Sequence, residues 1–71
     1  MKPTAKTYTR IENWGEFLKI TDVNSEGSYY QRAVWPDGVV TGEYRTTLQD
    51  MGWASLHDFL AHRKGFKLTG C

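Results

Sequence analysis

The stretch Tyr29-Tyr30-Gln31-Arg32-Ala33-Val34-Trp35, Pro36-Asp37-Gly38, Val39-Val40-Thr41-Gly42-Glu43-Tyr44-Arg45 decides the fold. Its two flanks are rich in β-branched and aromatic residues, which suit the pleated, half-buried surface of a strand. Between them, proline presets the first turn position, aspartate tolerates the second, and glycine accepts the left-handed conformation that closes the loop. A β-hairpin follows. Alternation places Tyr30, Arg32 and Val34 on one face and Tyr29, Ala33 and Trp35 on the other. Each face mixes apolar with polar groups, so the pattern leaves open which one is buried.

Working outward, Leu18-Lys19-Ile20-Thr21 alternates like a strand, and a strand is expected over Glu16–Val23 after a turn or short helix at Glu12-Asn13-Trp14-Gly15. Asn24-Ser25-Glu26-Gly27-Ser28 is a polar loop of turn formers. C-terminal to the hairpin, Thr47 and Ser55 each stand three residues before an aspartate, Asp50 and Asp58, approximating a capping box. The spacing predicts a short helical turn near 47–51 and a helix over 56–64, with Leu56, Phe59, Leu60 and Arg63 at helical intervals and Gly65 as the stop. Phe66 and Leu68 are expected to tuck the tail onto the body. The expected fold is α+β: a three-stranded antiparallel sheet with a C-terminal helix packed on one face. In this arrangement the helix meets Leu18, Ile20, Val34, Val40 and Tyr44. No repeat or low-complexity tract is present.

Residues 1–10 lack apolar periodicity and read as a flexible basic arm carrying Lys2, Lys6 and Arg10, with 11–71 forming a single domain. Seventy-one residues suffice for one small core. A hydrophobic content of 39% beside 24% charged residues is globular rather than disordered. The lone Cys71 leaves no internal disulfide and suggests a reducing compartment, with the cytoplasm as the expected location. No stretch has the length of a membrane span, and no membrane partner is expected.

Enzyme templates fail on inventory. A Cys–His nucleophile would need the terminal Cys71. His57 and His62, five residues apart, point to different helix faces, so no metal is expected. No carboxylate pair stands out among Glu12, Glu16, Asp22, Glu26 and Glu43, and Gly38 and Gly42 lack a phosphate-loop context. Neither catalysis nor a cofactor is expected. The net charge of +1 argues against a whole-domain nucleic-acid binder. Tyr30, Arg32 and Arg45 nevertheless offer an alternative nucleic-acid face, because sheet aromatics flanked by arginine can stack bases.

Binding a protein asks least of such a chain, since an aromatic backed by arginine already makes an interface anchor. The candidate partner-binding residues are Lys2, Lys6, Tyr8, Arg10 and Trp14, where the basic arm joins the aromatic-rich body. The stretch Lys2-Pro3-Thr4-Ala5-Lys6-Thr7-Tyr8-Thr9-Arg10-Ile11, continuing into Glu12-Asn13-Trp14-Gly15-Glu16-Phe17, resembles small phage-encoded transcription regulators of the kind made by a lytic Xanthomonas phage. That resemblance implies a protein that binds bacterial RNA polymerase, suppresses initiation at host promoters and promotes readthrough of terminators. It also gives the arm a task, steering association with a large acidic enzyme. A direct nucleic-acid binder and an inhibitor of a bacterial defence nuclease remain as alternatives. A monomer is expected, although exposed sheet edges leave a homodimer open.

Overall fold

Five segments pair into one antiparallel sheet, in a computed structural model that describes residues 6–70. They are β1 (Thr7–Asn13), β2 (Leu18–Asn24), β3 (Ser28–Val34), β4 (Val40–Thr47) and β5 (Lys67–Gly70). The sheet order is β4-β3-β2-β1-β5, so the first four strands form a meander and the last returns to pair with β1. One helix, α1 (Leu56–His62), precedes β5.

The hairpin forms as its sequence dictates. Gly38 sits at φ +88°, its N–H donates to the Trp35 carbonyl at 2.8 Å, and the Asp37 carboxylate accepts from the Val39 N–H at 3.1 Å. Within it, Tyr30 lies opposite Arg45 and Val34 opposite Val40, with a register shift between Gln31 and Ala33. Gly42 takes up the extra residue at φ +62°, a backbone region that costs glycine little.

Three expectations need correction. The sheet has five strands where three were expected. Thr7–Arg10, read as part of the arm, belong to β1 and pair with β2, and Thr7–Thr9 pair with β5 as well. Thr7-Tyr8-Thr9-Arg10-Ile11 does alternate, but in threonine, tyrosine and arginine rather than in aliphatics, so a hydrophobic count misses it. At 12–15, expected as a turn or short helix, Glu12 and Asn13 still belong to β1, and the turn to β2 spans residues 14–17, where the Trp14 N–H donates to the Phe17 carbonyl at 3.0 Å. Residues 1–5, Lys2 among them, and Cys71 lie outside the described residues.

The helix is also placed differently. β4 ends at one edge of the sheet and β5 begins at the other, four strand spacings or about 19 Å away. The connection 48–66 must therefore cross one face, and it does so at the end where β2 finishes and β3 begins. Register puts Tyr8, Val23 and Tyr29 side by side there. Leu48 and Phe59 close over them, with Val23 1%, Leu48 3% and Phe59 2% exposed. Phe59 meets Tyr29, Trp53 and Phe66 edge-on, at ring separations of 6.1, 5.4 and 5.2 Å. Leu18, Val40 and Tyr44, expected beneath the helix, are 40%, 44% and 53% exposed. They lie at the uncrossed end, on the outer edge strand or on the opposite face.

Candidate protein-binding surface at the aromatic end of the sheet

In a meander, alternate turns fall at the same end. The β1–β2 turn brings Trp14 and Phe17 there, and the β3–β4 turn brings Trp35. Trp14 stacks near-parallel on Phe17 with centroids 6.2 Å apart, and Phe17 leans on Trp35 at 5.0 Å. The Trp35 indole N–H donates to the Thr41 hydroxyl at 2.8 Å, fixing that ring to β4. Lys19, on the same face in β2, holds its ammonium 5.2 Å from the Trp14 ring centroid, within cation–π range. Trp14, Phe17 and Lys19 border a groove of about 170 Å³ that Gln31, Arg32, Ala33 and Gly42 complete.

The residues singled out from sequence do not form one patch. Trp14 stands at the aromatic end, 56% exposed. Tyr8, six residues earlier and about 20 Å away along the strand, packs against the buried cluster. Arg10 lies between them and is committed to the fold. Its guanidinium stacks on Phe66 at 4.9 Å, reaches the Lys64 carbonyl at 3.5 Å and pairs with Glu12 at 3.4 Å. Lys6 is exposed, but its backbone is tied to the β2–β3 loop, donating to the Ser25 hydroxyl at 3.0 Å and accepting from the Ser25 N–H at 2.8 Å.

The alternative set does come together. Tyr30, Arg32 and Arg45 share the sheet face that the 48–66 connection does not cover. Arg32 and Arg45 place their guanidinium carbons 4.8 and 3.9 Å from the Tyr30 ring centroid. Both charges are answered within the chain: Arg32 bonds Asp22 at 2.6 Å, and Arg45 lies 3.9 Å from Glu43. The Tyr30 hydroxyl donates to Glu43 at 2.5 Å. That bond, then partial desolvation, then the Glu43 charge raise the Tyr30 pKa above the ordinary 10.0, with Arg45 and Arg32 acting in opposition.

Sequence reasoning missed Phe17, Lys19 and Trp35 as neighbours of Trp14. The available signal was the spacing of two turns separated by two strands of seven residues. It becomes legible only once β1 is recognised as a strand. Among the described residues, no cluster of three metal-ligating side chains occurs, and no helix is long and apolar enough to cross a membrane. Comparison with protein-family models, curated proteins and solved structures finds no match. The fold defines a small α+β domain with one antiparallel sheet.

Proposed function

We propose that this chain is a protein-binding transcription regulator. It binds bacterial RNA polymerase in the cytoplasm of the host cell, inhibits initiation and promotes terminator readthrough. The observation that carries the binding reading is Trp14, a large ring left 56% exposed yet held by Phe17 and the Lys19 ammonium. A pre-ordered aromatic loses little conformational freedom on docking, which is why such rings dominate interface energies. Lys19, beside that ring, adds positive charge suited to an acidic partner surface. The choice of polymerase rests on the resemblance of Lys2–Phe17, a stretch that includes Trp14 and Phe17 themselves.

Purified polymerase tests this directly. Trp14→Ala is expected to weaken binding by more than about tenfold while the circular dichroism spectrum stays unchanged. Initiation and terminator readthrough should then move together toward the values seen without the protein. Unaltered binding by this variant would remove the aromatic end from the site, and no binding by the wild type would remove the polymerase.

A direct nucleic-acid role on the Tyr30–Arg32–Arg45 face is the second reading, favoured by the two guanidinium groups stacked on one ring. Asp22 and Glu43 offset those charges, so the face offers phosphates little net attraction. The discriminator is salt, because binding through phosphates weakens steeply and regularly with ionic strength.

A further inference from the structure

Among the described residues, strand β4 forms one edge of the sheet and pairs with β3 alone. An edge strand turns alternate backbone N–H and C=O groups outward, where they can template another strand. Folded proteins blunt such edges with proline, like charges or bulges. The β4 bulge at Gly42 leaves Tyr44–Thr47 in unbroken register with β3, and that stretch contains no proline. The side chains of Glu43 and Arg45 are 53% and 72% exposed, and Tyr44 between them is 53% exposed.

The order acid–aromatic–base is self-complementary. When the strand is laid antiparallel on a second copy with Tyr44 on the two-fold axis, Glu43 faces Arg45 of the second copy, and Arg45 faces its Glu43. Both pairs unite opposite charges, whereas a lysine-guarded edge would bring like charges together. The register holds whichever groups point outward. Either the Tyr44 pair exchanges the backbone hydrogen bonds, or the two Glu43–Arg45 pairs do. The in-chain Arg45–Glu43 contact is loose at 3.9 Å, with Arg45 also stacked on the Tyr30 ring and Glu43 accepting from the Tyr30 hydroxyl.

We propose that β4 is a self-association edge, joining two copies antiparallel about Tyr44 into one continuous sheet. An edge pairing of this length buries less than the roughly 1,600 Å² of a standard interface, so the dimer forms as concentration rises. Trp14, Phe17 and Lys19 lie outside the pairing, and the proposed polymerase contact through Trp14 does not depend on it.

Sedimentation velocity over a wide concentration range, with two charge variants, provides the test. Glu43→Arg makes both positions positive, and Arg45→Glu makes both negative, so each variant alone opposes like charges across the axis. Each is expected to dimerise roughly tenfold or more weakly than the wild type. Mixed in equal amounts, the two regain opposite-charge pairs and are expected to associate at wild-type strength. A wild type that stays monomeric at millimolar concentration overturns the proposal. So do single variants that dimerise as well as the wild type, or a mixture that fails to associate. If circular dichroism shows either variant unfolded, the same exchange is made with Glu43→Lys and Arg45→Asp.

Discussion

Arg10 and Trp14 occupy one strand and its turn, yet their exposure sends them to different tasks. The Arg10 guanidinium is spent on Phe66, Glu12 and the Lys64 carbonyl, and its Nε is buried without a hydrogen-bond partner. Replacing it would loosen the attachment of the 63–66 segment to β1, so its charge is a poor probe of partner binding. Trp14 contributes an exposed ring and is the better probe. Tyr30 gives a prediction at the same scale. Glu43 holds its phenol neutral above the ordinary tyrosine range of 10.0, so folding favours the protonated form. That contribution is complete below the ordinary pKa and is lost as pH rises through the raised value. Ultraviolet titration should therefore show one late-ionising tyrosine that is absent in Tyr30→Phe and returns toward 10.0 in Glu43→Gln. Identical curves for the wild type and Glu43→Gln would show that the Tyr30–Glu43 bond does not persist in solution.

The elements divide by where their stability originates. The hairpin is written into local chemistry, with Asp37 and Gly38 closing the turn and β-branched residues on both sides. Helix α1, at seven residues, is too short to stand alone, because helix nucleation is costly and isolated helices below about 12–15 residues are marginal. It is held by its cap, where the Ser55 hydroxyl accepts from the Asp58 N–H at 3.1 Å, and by Phe59 on its inner side. Ser55→Ala should lower stability by about 1 kcal/mol in urea denaturation, with little change in the dependence on urea concentration. The same motif at Thr47 makes the same bond, Asp50 N–H to Thr47 hydroxyl at 3.1 Å, yet yields only one turn. There the backbone leaves the helix at Gly52, φ +93°, and the Trp53 N–H returns to the Leu48 carbonyl. A local cap signals where a helix can start and says nothing about whether one continues.

At the scale of the whole molecule, one crossing connection provides most of the core. Val23, Tyr29, Leu48 and Phe59 are buried together because the chain must pass from one sheet edge to the other over that end. Removing a buried phenylalanine costs about 3–5 kcal/mol. A core in a domain this size supplies about as much in total. Phe59→Ala is therefore expected to be largely unfolded, with loss of the amide dispersion that marks the native sheet in a two-dimensional NMR spectrum. A folded variant would mean that the five-stranded sheet stands without its crossing connection. The uncovered remainder of the sheet is left for partners. It includes the aromatic end, where the proposed protein partner would dock, and the β4 edge, where pairing with a second copy is proposed.

The sequence by itself determined the α+β class, the β3–β4 hairpin with its turn, and a helix beginning at residue 56, which was expected to run to 64 and ends at His62. Each is encoded within a few neighbouring residues. Only the tertiary structure decided that Thr7–Asn13 is a strand and that the sheet has five members. The pairing that orders β1 comes from β2 and from β5, about sixty residues further along the chain in the Thr7–Gly70 pair. The candidate site divides in the same way. Trp14 is conspicuous as an aromatic beside a glycine turn. Its neighbours Phe17, Lys19 and Trp35 become a surface only when strand length brings two distant turns to one end. Arg10 belongs to the fold because a ring from the far end of the chain comes to rest beneath it.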